Sequence, residues 1–101
     1  MVRKAQHGNK FSEALKVARV ARGLSQEAFT LVSSRTYVSS LERGLKVPTL
    51  VKVDALAEVL GVHPLTLLTL AYVDLKHSKG VDALIGEVLK EVHVLMTQKK
   101  S

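Results

Sequence analysis

The 101-residue sequence predicts an all-α protein. Three observations carry that expectation. Apolar residues recur at three- and four-residue spacing, and strand-type alternation is nearly absent. Hydroxyl residues suited to helix N-caps stand just ahead of those runs, at Ser12, Ser25, Ser34 and Thr49. Glycines close three of the runs, at Gly23, Gly44 and Gly61, where a left-handed residue can satisfy the last carbonyls.

The elements follow in order. Residues 1–10, MVRKAQHGNK, read as a mobile basic arm. Ser12 is expected to cap a first helix from Glu13 to Arg22, with Leu15 and Ala18 inward and Val17 a further candidate. Ser25 is expected to cap a second, short helix from Gln26 to about Val32. Phe29 is its core anchor, with Leu31 or Val32 beside it. Ser33 and Ser34 form a turn, and one of them caps a third helix over residues 34–43. LKVP is a loop. Thr49 caps a fourth helix through Leu60, with Leu50, Val53, Leu56, Ala57 and Leu60 at helical spacing. His63-Pro64 opens a fifth helix to about Tyr72, because Pro is preorganised for the first helical position. VDLKHSKG is a connector. A last helix covers about Val81 to Gln98, within a segment bounded at residues 80–98.

Composition narrows the class. Hydrophobic residues are 47% of the chain, enough for a buried core. Without Cys there is no disulfide framework and no thiolate metal site, and a reducing cytoplasm fits. No run approaches the ~18 apolar residues of a membrane span, and the N-terminal residues lead into no signal-type apolar segment. The charge is asymmetric. Residues 1–46 hold nine Lys/Arg against three acids, which is the whole +6 excess, while residues 47–101 hold six of each. A localised positive field points to a polyanion, nucleic acid first and an acidic membrane second.

The third helix is unusual. In SSRTYVSSLERG, residues 33–44, Val38 and Leu41 share one face, while Arg35, Thr36, Ser39 and Ser40 lie largely on others. A purely structural surface helix favours Glu, Lys and Ala. Short polar side chains let a flat or grooved partner approach the backbone. Two short helices joined by a tight turn, the second rich in small polar residues, describe a helix-turn-helix.

The combination GLSQE, YVSSLERG, PTL and ALAEVLGV over residues 12–70 resembles the Xre/Cro-type helix-turn-helix regulators. The resemblance implies a five-helix lambda-repressor-like DNA-binding domain over residues 11–72, followed by the amphipathic C-terminal helix. It implies that the third helix enters the major groove of double-stranded DNA while the second crosses the backbone. By position, Arg35, Thr36, Ser39 and Ser40 become candidate base contacts. An Arg can fork onto guanine O6 and N7, and a Thr can give a hydroxyl or methyl contact. Gln26, Ser34, Tyr37, Arg43 and Lys46 match phosphate-facing positions. Arg19 and Glu42 match a structural ion pair that pins the first helix to the third.

One departure stands out. The family commonly places ten residues between that Gln and the start of the recognition helix, with a Gly in the turn. Here Gln26 to Ser34 is eight, without Gly. Either the second helix is half a turn shorter or the turn is built differently, and a non-glycine residue, Ser33 the candidate, is expected at positive φ.

Val81, Ile85, Val88, Val92 and Leu95 form a short heptad seam on the last helix, flanked by Leu84, Leu89 and Met96. It reads either as a dimerisation element or as a helix packed on its own domain. One recognition helix reads few base pairs, so specific binding calls for a homodimer on a roughly palindromic site. Arg3, Lys4 and Lys10 either add DNA contacts or form a tail without a role. His7, His63, His77 and His93 are scattered, and there is no phosphate loop, so neither an enzyme nor a cofactor site is expected. The expected function is a cytoplasmic transcriptional repressor or autoregulator. The alternatives are an antitoxin or adaptor that binds a partner protein through the last helix, and a nonspecific nucleoid binder.

Overall fold

The computed structural model describes residues 10–73 and 79–98. It contains α1 (Phe11–Ala21), a one-turn 3₁₀ helix (Gln26–Phe29), α2 (Arg35–Glu42), α3 (Leu50–Leu60), α4 (Pro64–Tyr72) and α5 (Lys79–Gln98). Apart from Lys10, the basic arm lies outside the described residues, as does most of the connector before α5.

Three helices end in the same way. After α1, α2 and α3 the chain turns at Gly23, Gly44 and Gly61, with φ of +70°, +77° and +74°. The next residue then donates its N–H five residues back, as Leu24 to Arg19, Leu45 to Ser40 and Val62 to Ala57. This Schellman geometry was legible from the glycines alone.

The N-termini agree less uniformly. Ser34 and Thr49 cap α2 and α3 by accepting from the N–H of Tyr37 and Lys52, at 3.0 and 3.1 Å. Ser12 does not cap α1. The helix starts earlier, at Phe11, and Lys10 occupies the cap position without a side-chain bond. Burial explains the shift. Phe11 enters the core, and the Lys10 N–H donates to the Ala71 carbonyl at 2.7 Å, tying the start of α1 to the end of α4. Ser25 is extended ahead of the 3₁₀ helix but makes no side-chain cap bond. His63, ahead of Pro64, accepts from the Leu65 N–H through Nδ1 at 2.9 Å.

The core joins Phe11, Ala14 and Leu15 of α1 with Phe29, Val38, Leu41, Val53, Leu56, Ala57, Leu60, Leu67 and Ala71. α1 packs on α2 and α4, α3 on α4, and the 3₁₀ helix on α2 and α3. Val17, Leu31 and Leu50, candidates for the inner face, are exposed instead. Val17 lies off the Phe11–Leu15 stripe. Leu31 falls beyond the shortened second helix, where the chain no longer follows helical spacing, and Val32 takes the inward place. Leu50 opens α3 at its free N-terminal edge.

α5 belongs to none of this core. Val81 and Leu84 are half-buried, while Ile85, Val88, Val92 and Leu95 are exposed. A groove of about 320 Å³ separates α5 from α4, lined by Leu65, Leu68 and Tyr72 on one side and Leu84 and Val88 on the other.

Candidate nucleic-acid interface

The site is built at the N-terminal turn of α2. Ser34 ends an extended segment and caps the helix through its Oγ, so Arg35 and Thr36 become the first helical residues. Both are exposed. Farther along, the helix turns inward. Val38 and Leu41 are fully buried, and Ser39 is half-buried. Ser40 corrects the sequence reading. It is 7% exposed and so does not stand on the open face with Arg35 and Thr36. The open side of α2 is therefore narrower than its polar composition suggests, and it runs through Arg35, Thr36 and Ser39. Arg43 and Lys46 are exposed just past its end.

Arg19 and Glu42 meet as the resemblance implies. Nε of Arg19 donates to Oε2 of Glu42 at 2.6 Å and Nη2 to Oε1 at 2.9 Å, a bidentate pair between α1 and α2. Nη1 of Arg19 also donates to the Leu24 carbonyl at 2.9 Å. The two side chains are 14% and 4% exposed. Burial alone would raise the Glu42 pKa. The hydrogen bonds from Arg19 and Gln26 and the nearby charges of Arg19 and Lys16 outweigh it and hold the carboxyl below its usual value. Its hydrogen bond to Glu42 raises Arg19, against the opposing effect of burial.

Gln26 joins this pair. Its Nε2 donates to Glu42 Oε1 at 3.0 Å, so an amide hydrogen expected at a phosphate is directed into the fold. Tyr37 is half-buried and packs against the core. Ser34 uses its oxygen as an acceptor in the cap, which leaves its O–H proton to donate.

The shortened turn has a simple construction. Among the described residues no non-glycine residue adopts positive φ, so Ser33 does not. The second helix is instead a single 3₁₀ turn, which advances farther per residue than an α-helix. Lys52 of α3 braces the connection. Its Nζ donates to the Val32 carbonyl at 2.7 Å and lies 5.4 Å above the Tyr37 ring. Sequence reasoning missed this residue, although a signal existed. A Lys in the first turn of a helix opposes the helix dipole and needs another reason to be there. Lys52→Met keeps the stem but removes the ammonium. It is expected to lower stability by about 1–2 kcal/mol through the orphaned carbonyl and the lost ring contact. Denaturant unfolding measures this.

Among the described residues no group of three His, Asp or Glu is placed to hold a metal, and no single helix is long and apolar enough to cross a membrane. A helix-turn-helix family model matches residues 15–67, more than half of the chain and all of the segment that carries the site. No curated protein and no solved structure matches the chain. A capped α2 with an exposed first turn, a one-turn helix set against it and the family match over both lead to one assignment. The chain belongs to the Xre/Cro-type helix-turn-helix family of DNA-binding transcription regulators.

Proposed function

We propose that the protein is a homodimeric, sequence-specific regulator, a repressor or autoregulator, that reads a roughly palindromic operator through α2. The observation that carries this reading is the exposed pair Arg35 and Thr36 on the capped first turn of a helix otherwise locked into the core. That turn can enter the major groove while the Arg19–Glu42 pair and Lys52 hold its angle. Arg35 reads guanine, Thr36 and Ser39 give hydroxyl contacts, and Ser34, Arg43 and Lys46 meet phosphates. Gln26 and Tyr37 face phosphates with what their internal contacts leave free.

Selection of sites from a randomised duplex pool at physiological salt tests the reading. A symmetric consensus preferred over bulk DNA by at least about 10³-fold is the expected result. A steep salt slope without consensus would indicate nonspecific binding. Arg35→Ala should then lose about 1–3 kcal/mol of discrimination at one base position. A loss of equal size on every sequence would make Arg35 a phosphate contact.

The homodimer is supported by α5. Val81, Leu84, Ile85, Val88, Leu89, Val92, Leu95 and Met96 fall within about 140° of its surface at 3.6 residues per turn. α4 borders only one edge of that arc. A second α5 pairing along Val81, Ile85, Val88, Val92 and Leu95 would cover the rest. Val88→Asp should convert dimer to monomer in sedimentation and weaken operator binding. A wild-type monomer at micromolar concentration would remove this element. The same exposed seam would then favour the second reading, an antitoxin or adaptor that presents α5 to another protein.

A further inference from the structure

The two helices of the helix-turn-helix are joined at their exposed edge by one ion pair. Nη1 of Arg35 lies 3.4 Å from Oε2 of Glu27, with the side chains 68% and 67% exposed. Pairs this exposed add little to stability, so folding gives no reason for it. Residues 1–46 contain only three acids. Glu42 is neutralised by Arg19, and Glu13 sits in the first turn of α1. Glu27 is thus the carboxylate placed against the foremost cation of the candidate interface.

We infer that Glu27 is a specificity-determining positioning residue, which holds the Arg35 guanidinium for guanine and disfavours its capture by phosphate. The inference rests on the reading of α2 as the recognition helix. A guanidinium carries five N–H donors, and a guanine fork uses two of them. A third can stay on Glu27, so carboxylate, guanidinium and base are held together. Fixing this long side chain before binding lowers the ordering entropy of the specific complex. On nonspecific DNA the situation reverses. There Arg35 is drawn to a phosphate, the carboxylate competes for the same donors, and its charge repels the backbone. Glu27 therefore acts against the wrong partner, and its effect appears in discrimination more than in affinity for the operator.

Four proteins test this: wild type, Glu27→Gln, Arg35→Ala and the double variant. Each is titrated on the operator selected from the random pool and on bulk duplex. Thermal melts confirm that all four fold, since both positions are exposed. Glu27→Gln is expected to bind bulk DNA about two- to fivefold tighter, the range an exposed pair allows, and the operator no tighter. In the Arg35→Ala background the same substitution should change both DNAs by one common factor. An equal gain on both DNAs with Arg35 present would reduce Glu27 to a diffuse charge and overturn the inference, as would no change on either. A selected operator with unaltered discrimination removes the role of Glu27 alone. Failure to select any operator removes the reading of α2 as well.

Discussion

Phe29→Ala is expected to lower the stability of the domain by about 4 kcal/mol. Phe29 is fully buried, and it heads the fully buried side chains by volume. It comes from a helix of only four residues, which contributes no other buried side chain. Removing the ring takes away most of the apolar burial that holds the 3₁₀ turn against α2 and α3, and it leaves a cavity among side chains that cannot collapse fully. Native domains are stable by about 5–15 kcal/mol, so this one change uses a large share of the margin. Phe29→Leu should lose far less, under about 1.5 kcal/mol, because most of the volume remains. Urea unfolding of the DNA-free protein measures both. A loss below about 1 kcal/mol for the Ala variant would mean that the 3₁₀ turn is anchored by something other than its ring.

Arg19→Ala is expected to cost about 3 kcal/mol. The reason is the partner left behind. Glu42 is 4% exposed, and without Arg19 its charge keeps the amide of Gln26 and the nearby charge of Lys16 but no ion pair of its own. The Leu24 carbonyl also loses a donor. Replacing both partners, as Arg19→Met with Glu42→Leu, should restore much of the loss, since two buried charges are then replaced by apolar surface. A double variant no better than the sum of the single changes would show that the pair is not coupled. The pH dependence follows from Glu42. Its folded pKa is lowered, so its contribution is complete above the unfolded value, about 4.3, and is lost as pH falls through the lower folded value. Wild-type stability should therefore fall on acidification through that window, and the Glu42→Gln protein should lack this part of the slope.

The helices were legible because their signals are local. Ser34, Thr49, Gly23, Gly44, Gly61 and Pro64 each act on the chain within a few residues, and each stands where its chemistry predicts. The ion pair of Arg19 and Glu42 was reached through family resemblance. Nothing in their 23-residue separation would have joined them. What escaped were effects of tertiary packing. Ser40 looked solvent-facing because its side chain is small and polar, yet its end of α2 turns into the core. The start of α1 is fixed by the burial of Phe11 and the hydrogen bond to Ala71, which no cap residue announces. Lys52 reaches the Val32 carbonyl from 20 residues away. The Arg35–Glu27 contact likewise depends on how the 3₁₀ turn sets the two elements side by side.

The separation of α5 from the core has a thermodynamic consequence. Every residue of the core cluster lies between Phe11 and Ala71. Closing that core is then a unimolecular event, and its melting midpoint should move with protein concentration only as far as association through α5 favours the folded core. Association through α5 would be a bimolecular event with its own constant. The two equilibria are linked through α4, which borders one edge of the α5 seam. A cell could dilute such a regulator below its assembly threshold without unfolding it, so the quantity of protein, rather than its conformation, would set the response.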